Sequence, residues 1–184
     1  MPRGPFRFNN TDYDLSHVDS KTVTFMVPAH KKLPARQFTV FIEYSDHCFT
    51  EDEKPGSDQA LYYCTENHGG KKFRRMFDLS RWELSRQLPE IIEGMLDRWV
   101  YFTRGQNFHI MNLVNSSGAQ VEYLIFFIVK SRGSGLRLVV ESAYPFDAAL
   151  GGALPRNDDR VRFSTVLRKV SDGESFRKPS HSRR

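Results

Sequence analysis

The segment FIEYSDHCFT (residues 41–50) closes an alternating apolar run with Asp46, His47 and Cys48, three side chains that a folding core does not need. Histidine is the residue type for proton transfer near neutral pH, because its ordinary pKa of about 6.5 lets it give or take a proton there. Further along, Tyr101, Arg104, His109, Arg137, Glu141, Ser142 and Tyr144 all fall on or beside predicted strands. Together they suggest metal-independent RNA cleavage. That chemistry requires a base for the ribose 2′-hydroxyl, an acid for the leaving oxygen and a cation for the charged phosphorane. Histidine, glutamate and tyrosine can fill the first two roles. Arginine suits the third, since its planar guanidinium grips phosphate bidentately. In this scheme His47 is the general base or acid, Arg104 or Arg137 the phosphate clamp, and Tyr144 with Ser142 positions substrate.

Other chemistries fit less well. His47, Cys48, Cys64 and His68 make a two-cysteine, two-histidine set. However, His47 and Cys48 are consecutive at a strand end, where neighbouring side chains point to opposite faces, so no metal site is expected. A cysteine nucleophile would need a histidine holding it as thiolate, and no Gly-flanked nucleophile or strand-to-helix elbow is present. The absence of a phosphate-cradling loop or dinucleotide fingerprint means no cofactor is implied. Each candidate also has a purely structural role open to it. In RLVVESAYP, simple alternation puts Leu138, Val140, Ser142 and Tyr144 on one face and Arg137, Val139, Glu141 and Ala143 on the other. Arg137 and Glu141 would then form a solvated pair, Tyr144 would close the core, and His109 would be an ordinary sheet histidine.

These residues must be positioned by strands. TVTFMV (22–27) and the alternating run around Phe38, Val40, Ile42 and Tyr44 are expected to pair as a hairpin. EDEKPGSDQ reads as a loop, ALYYCT as a short strand and ENHGG as a breaker. Asp78 or Ser80 can cap a helix carrying Leu84, Leu88, Ile91, Ile92 and Met95, which Pro89 must kink or split in two. WVYFT, NFHIMNLV, VEYLIFFIVK and LRLVVESAY follow as strands joined by short turns. VRFSTVLRKV fits helix slightly better than strand. The expected fold is therefore α+β, an antiparallel sheet of five to six strands packed by a Pro-kinked helix or two short ones. Residues 1–20 form an N-terminal arm, 21–170 a single domain, and 171–184 a disordered basic tail.

The 184 residues carry a net charge of +5, and its location limits what it can mean. From Arg156 to Arg184 there are nine Lys/Arg against four Asp/Glu, so the preceding body is neutral and the excess lies in the tail. No window is apolar enough for a membrane span and the N-terminus lacks a signal-peptide core, so a cytoplasmic protein without membrane contact is expected. The two cysteines are then free thiols.

The order of FIEYSDHCFT, FDLSRWELSRQLPEIIEGM, GQNFHIMNL, YLIFFIVK and LRLVVESAYP resembles a group of small bacterial proteins carried on mobile elements or phages. Helices followed by an antiparallel sheet ending in SAYP are also similar to the Barnase/EndoU/colicin/RelE-like nuclease superfamily. That resemblance implicates Ser142 and Tyr144. It implies a metal-independent RNA endonuclease-like protein, possibly a mobile-element toxin, with RNA as partner. The competing expectation is a non-enzymatic element-encoded inhibitor or regulator that binds a host protein or nucleic acid through its sheet edge and basic tail.

Overall fold

A computed structural model describes residues 2–102, 107–114, 118–146 and 160–174. The chain opens with a hairpin, β1 (Phe6–Phe8) and β2 (Thr11–Tyr13), turned by Asn9 and Asn10 at φ 47° and 58°. Asparagine tolerates that left-handed region better than other non-glycine residues. After a 3₁₀ turn at Ser16–Val18 come β3 (Lys21–Val27) and β4 (Arg36–Tyr44), paired antiparallel as the alternation required. A second 3₁₀ turn at Asp46–Cys48 leads into β5 (Thr50–Asp52), β6 (Tyr62–His68) and β7 (Lys71–Phe77). These last three form a separate sheet in the order β5-β7-β6. The ENHGG stretch is mostly strand, and only Gly69 and Gly70, at φ 56° and 79°, make its turn.

Asp78 caps α1 (Leu79–Ser85) by accepting from the backbone N–H groups of Ser80 and Arg81. Pro89 falls in the first turn of a second helix, α2 (Leu88–Glu93), so the proline yields two short helices. Then follow β8 (Trp99–Phe102), β9 (Asn107–Val114), β10 (Gln120–Arg132) and β11 (Gly135–Pro145). The VRFSTVLRKV region supplies the short strand β12 (Arg160–Arg162) and the helix α3 (Phe163–Ser171).

The main sheet has seven strands in the order β12-β8-β9-β10-β11-β4-β3. All its pairings are antiparallel except β11 with β4, which run parallel. This is the expected α+β fold with one mixed junction. Phe38, Val40, Ile42 and Tyr44 of β4 are buried, as are Tyr123, Ile125 and Phe127 of β10. Leu84, Leu88, Ile92 and Met95 join the same core from the α1–α2 region. So does α3, whose Phe163 packs edge-on against Phe25 and Phe127 at 5.6 and 5.9 Å. No helix among the described residues is long and apolar enough to cross a membrane.

One irregularity in β11 decides which way its last side chains point. Phe126 pairs with Ser142 and Phe127 with Val140, which leaves Glu141 as an extra, bulged residue. Strict alternation therefore fails here. Ala143 joins Leu138 and Val140 on the buried face, while Ser142 and Tyr144 turn to the other face, where Tyr144 stacks on Phe126 with centroids 5.5 Å apart. The face assignment read from sequence is thus corrected beyond Val140.

Candidate functional site

Because β4 and β11 run parallel, their C-terminal ends lie at the same side of the sheet. The chain leaving β4 turns through Asp46–Cys48 next to β11, where the Ser45 N–H donates to the Val140 carbonyl at 2.9 Å. The Ser45 hydroxyl fixes the turn by accepting from the His47 N–H. Three carbonyls at this corner then need donors from outside the ladder. Arg3 donates to the Tyr44 carbonyl at 2.8 Å and also to the Asp46 carboxylate at 2.8 Å. Arg81, from the first turn of α1, donates to the carbonyls of His47 at 3.3 Å and Thr50 at 2.8 Å.

The His47 ring lies against Glu66 of β6, with Nε2 2.8 Å from Oε2. The two side chains are 33% and 22% exposed, so solvent reaches them. An ionised carboxylate can only accept, so against an ionised Glu66 the donor is Nε2, and the neutral tautomer that makes this bond carries its lone pair on Nδ1. The Arg81 guanidinium sits 5.2 Å from the centre of the Tyr144 ring, so a single cation bridges the backbone of His47 and the aromatic face of Tyr144. At this corner the structure brings together His47, Glu66, Arg81 and Tyr144, with Ser142 and the bulged Glu141 just before Tyr144 on β11.

The thiols nearby are held protonated. Cys48 is fully buried below the turn, and burial pushes its pKa up to about 12. Cys64 lies 3.9 Å from the Asp46 carboxylate, and burial, then that charge, pushes it up to about 11. Neither is a ready nucleophile. Two phenols, Tyr44 and Tyr123, are buried with no hydrogen-bond partner among the described residues, and burial raises both pKa values.

The remaining sequence candidates lie elsewhere or outside view. Arg137 is at the far end of β11, seven residues before Tyr144 and so roughly 23 Å along the strand. Its Nε is paired with Glu43 rather than with the solvated Glu141 expected from alternation. Tyr101 sits on β8, opposite Arg160 and Phe108. His109 opposes Ile125, which in turn opposes Ala143, so its backbone is level with the corner but two strands away. Arg104 and the tail residues 175–184 lie outside the described residues.

Sequence reading missed Glu66, Arg81 and Arg3. Glu66 was hidden by treating ENHGG as a breaker, although two glycines between extended runs are a hairpin signal. Arg81 carried a subtler one. A cation in the first turn of a helix opposes the macrodipole, so its charge is better used against something outside the helix.

Comparison with known proteins supplies a family but no activity. A family model described as the YjaZ family matches residues 5–171. Protein YjaZ of Escherichia coli (strain K12) is 23% identical over 170 residues, covering 91% of this chain and 89% of that protein. No solved structure matches.

Proposed function

The chain belongs to the YjaZ family, and from that premise and the geometry at His47 we propose that it cleaves RNA without a metal. The observation that carries this reading is the partly exposed His47–Glu66 pair at 2.8 Å, with Arg81 linking the His47 carbonyl to the Tyr144 ring. Glu66 orients the ring so that Nδ1 takes the proton from a ribose 2′-hydroxyl. The 2′-oxygen then forms its bond to phosphorus as the bond to the 5′-oxygen breaks, and the Tyr144 hydroxyl gives that leaving oxygen its proton. The products are a 2′,3′-cyclic phosphate and a 5′-hydroxyl, and exchange with water resets both side chains. Ser142 positions substrate from the same strand end.

The test is purified protein with total RNA in EDTA. The wild type is expected to cleave it, with His47→Ala and Tyr144→Phe each slower by about 10²–10⁴, the usual worth of a positioned acid or base. Intact RNA in the wild-type lane refutes the proposal.

A second reading has its own support. Among the described residues, the arginines bonded to this corner, Arg3, Arg75 and Arg81, already donate to backbone carbonyls, so none of these three is free to clamp the phosphorane. That favours a non-enzymatic protein that binds a nucleic acid or a host protein, and it predicts salt-dependent binding without cleavage.

A further inference from the structure

We propose that two copies of this protein pair edge to edge through β3, antiparallel about a two-fold axis at Thr24, so that their seven-stranded sheets join into one. The proposal is independent of the reading of His47. A strand at the edge of a sheet offers a row of N–H and C=O groups to any strand that comes alongside, and proteins ordinarily blunt such edges by shortness, charge, proline or a bulge. Among the described residues, every other edge strand carries one of these devices. The opposite edge of the main sheet, β12, has three residues, and two of them are Arg160 and Arg162. In the smaller sheet, β5 has three residues including Glu51 and Asp52, and β6 is bulged between Tyr62 and Cys64. The β1 and β2 strands have three residues each and carry the ion pair of Arg7 with Asp12. By contrast, β3 runs for seven residues, KTVTFMV, with no proline and in unbroken register with β4. Its one charge, Lys21, stands at the first position and is paired with Glu93 at the end of α2. Apart from the ladder to β4, no backbone group of Lys21–Val27 is bonded to another part of the chain among the described residues.

The side chains of the edge fit a second copy of themselves. Thr24 is the central residue of β3, so a two-fold axis through it, perpendicular to the sheet, opposes all seven residues. Thr24 then faces Thr24 of the second copy, Val23 faces Phe25, Thr22 faces Met26 and Lys21 faces Val27. Such an axis keeps each face of the sheet on its own side. Exposed Thr22, Thr24 and Met26, the last 59% exposed, therefore meet the same three residues, and Val23 meets Phe25 on the inward face. Threonine with threonine and an aromatic with a β-branched residue are favourable cross-strand pairs, and no like charges are opposed. The outward face stays uncharged into β4, where Phe41, Thr39 and Gln37 stand across from Thr22, Thr24 and Met26. Because the contact is isologous it consumes the edge of both copies, and the short, arginine-bearing β12 keeps the assembly from growing at the other side.

Sedimentation equilibrium of the full-length protein over a concentration series tests this. Seven residues a side fall short of the roughly 20–30 of a standard stable interface, so a reversible monomer–dimer equilibrium is expected rather than a permanent dimer. Thr24→Lys sets two like charges opposite each other and should weaken the dimer by about fivefold or more, and Thr24→Glu should do the same. Mixed in equal amounts, the two variants should form a heterodimer tighter than either makes alone, which separates the loss of pairing from damage to the fold. Alternate amides of β3 should also exchange with solvent more slowly at concentrations where the dimer predominates. A wild-type protein that stays monomeric at every concentration overturns the proposal. So does assembly that runs past the dimer, self-association that neither charge variant weakens, or a mixture of the two that gains nothing over its parts.

Discussion

Replacing Arg81 by methionine tests whether a guanidinium holds the corner together. Methionine keeps most of the side-chain volume and removes the charge. The wild-type side chain is 22% exposed, so solvent screening is limited. Its donation to the Thr50 carbonyl at 2.8 Å is a short charge-assisted bond worth about 1.5–3 kcal/mol, and the 3.3 Å bond to His47 adds less. The contact with Tyr144 adds about 0.5–1 kcal/mol. Relief of a cation near the N-terminus of α1 returns about 0.3–1 kcal/mol to the variant. The expected net loss is about 2–3 kcal/mol, read as a lower urea midpoint at unchanged m-value. A double-mutant cycle with Tyr144→Leu should show a coupling of about 0.5–1 kcal/mol, because the two side chains touch. Arg74, paired with Glu53 at 41% exposure, is the control, and Arg74→Met should cost under about 1 kcal/mol. An Arg81→Met protein within about 0.5 kcal/mol of wild type, the range of an ordinary surface substitution, would refute the account of the corner.

Two other groups give expectations that depend on pH. Burial holds the His17 pKa below its ordinary value, and its Nε2 lies 2.7 Å from the Ser85 hydroxyl. A depressed folded-state pKa contributes stability that is present above about 6.5 and lost as pH falls through the lowered value, so the urea midpoint should drop on acidification and His17→Gln should flatten that drop. Cys64, at about 11, should alkylate slowly at pH 8 and roughly tenfold faster per pH unit up to pH 10, while buried Cys48 should label only on unfolding; fast labelling of either thiol in native protein at pH 8 would contradict their placement.

How much of this was legible from sequence depends on range. The alternation in β4 and the helix signals around Asp78 and Pro89 are local, and the structure follows them: Asp78 caps α1 and Pro89 falls in the first turn of α2. The parallel pairing of β11 with β4 links residues about a hundred positions apart, and no period in either segment encodes it. The bulge at Glu141 shows the same limit at smaller scale. A period of two continued through VVESAYP puts Tyr144 with Val140, yet one bulged residue reverses every side chain after it. Within the site, His47 and Tyr144 were legible as polar groups ending apolar strands. Glu66 and Arg81 were not, because each is defined by a partner on another element: Glu66 by the His47 ring, Arg81 by two carbonyls that the turn leaves outside the ladder.

Those carbonyls also determine where any phosphate-binding charge must come from. A chain that leaves a parallel strand through a tight turn exposes acceptors that the sheet cannot satisfy, and a buried, unpaired acceptor costs about 1–3 kcal/mol. Arg3 answers that need for Tyr44, Arg81 for His47, and Arg81 with Arg75 for Thr50. Turning the guanidinium of Arg3 or Arg81 toward a ligand would break the bonds that position His47, so its charge is available only as a fixed field. Lys71 and Lys72 carry no such structural duty among the described residues and lie on the hairpin that delivers Glu66. Under the proposed RNA cleavage, arginine serves to fix the turn that carries His47 rather than to clamp phosphate. Loss of Arg81 should consequently lower stability and, if the proposed cleavage holds, RNA cleavage together, whereas Lys71→Ala and Lys72→Ala should leave the fold's stability where it was.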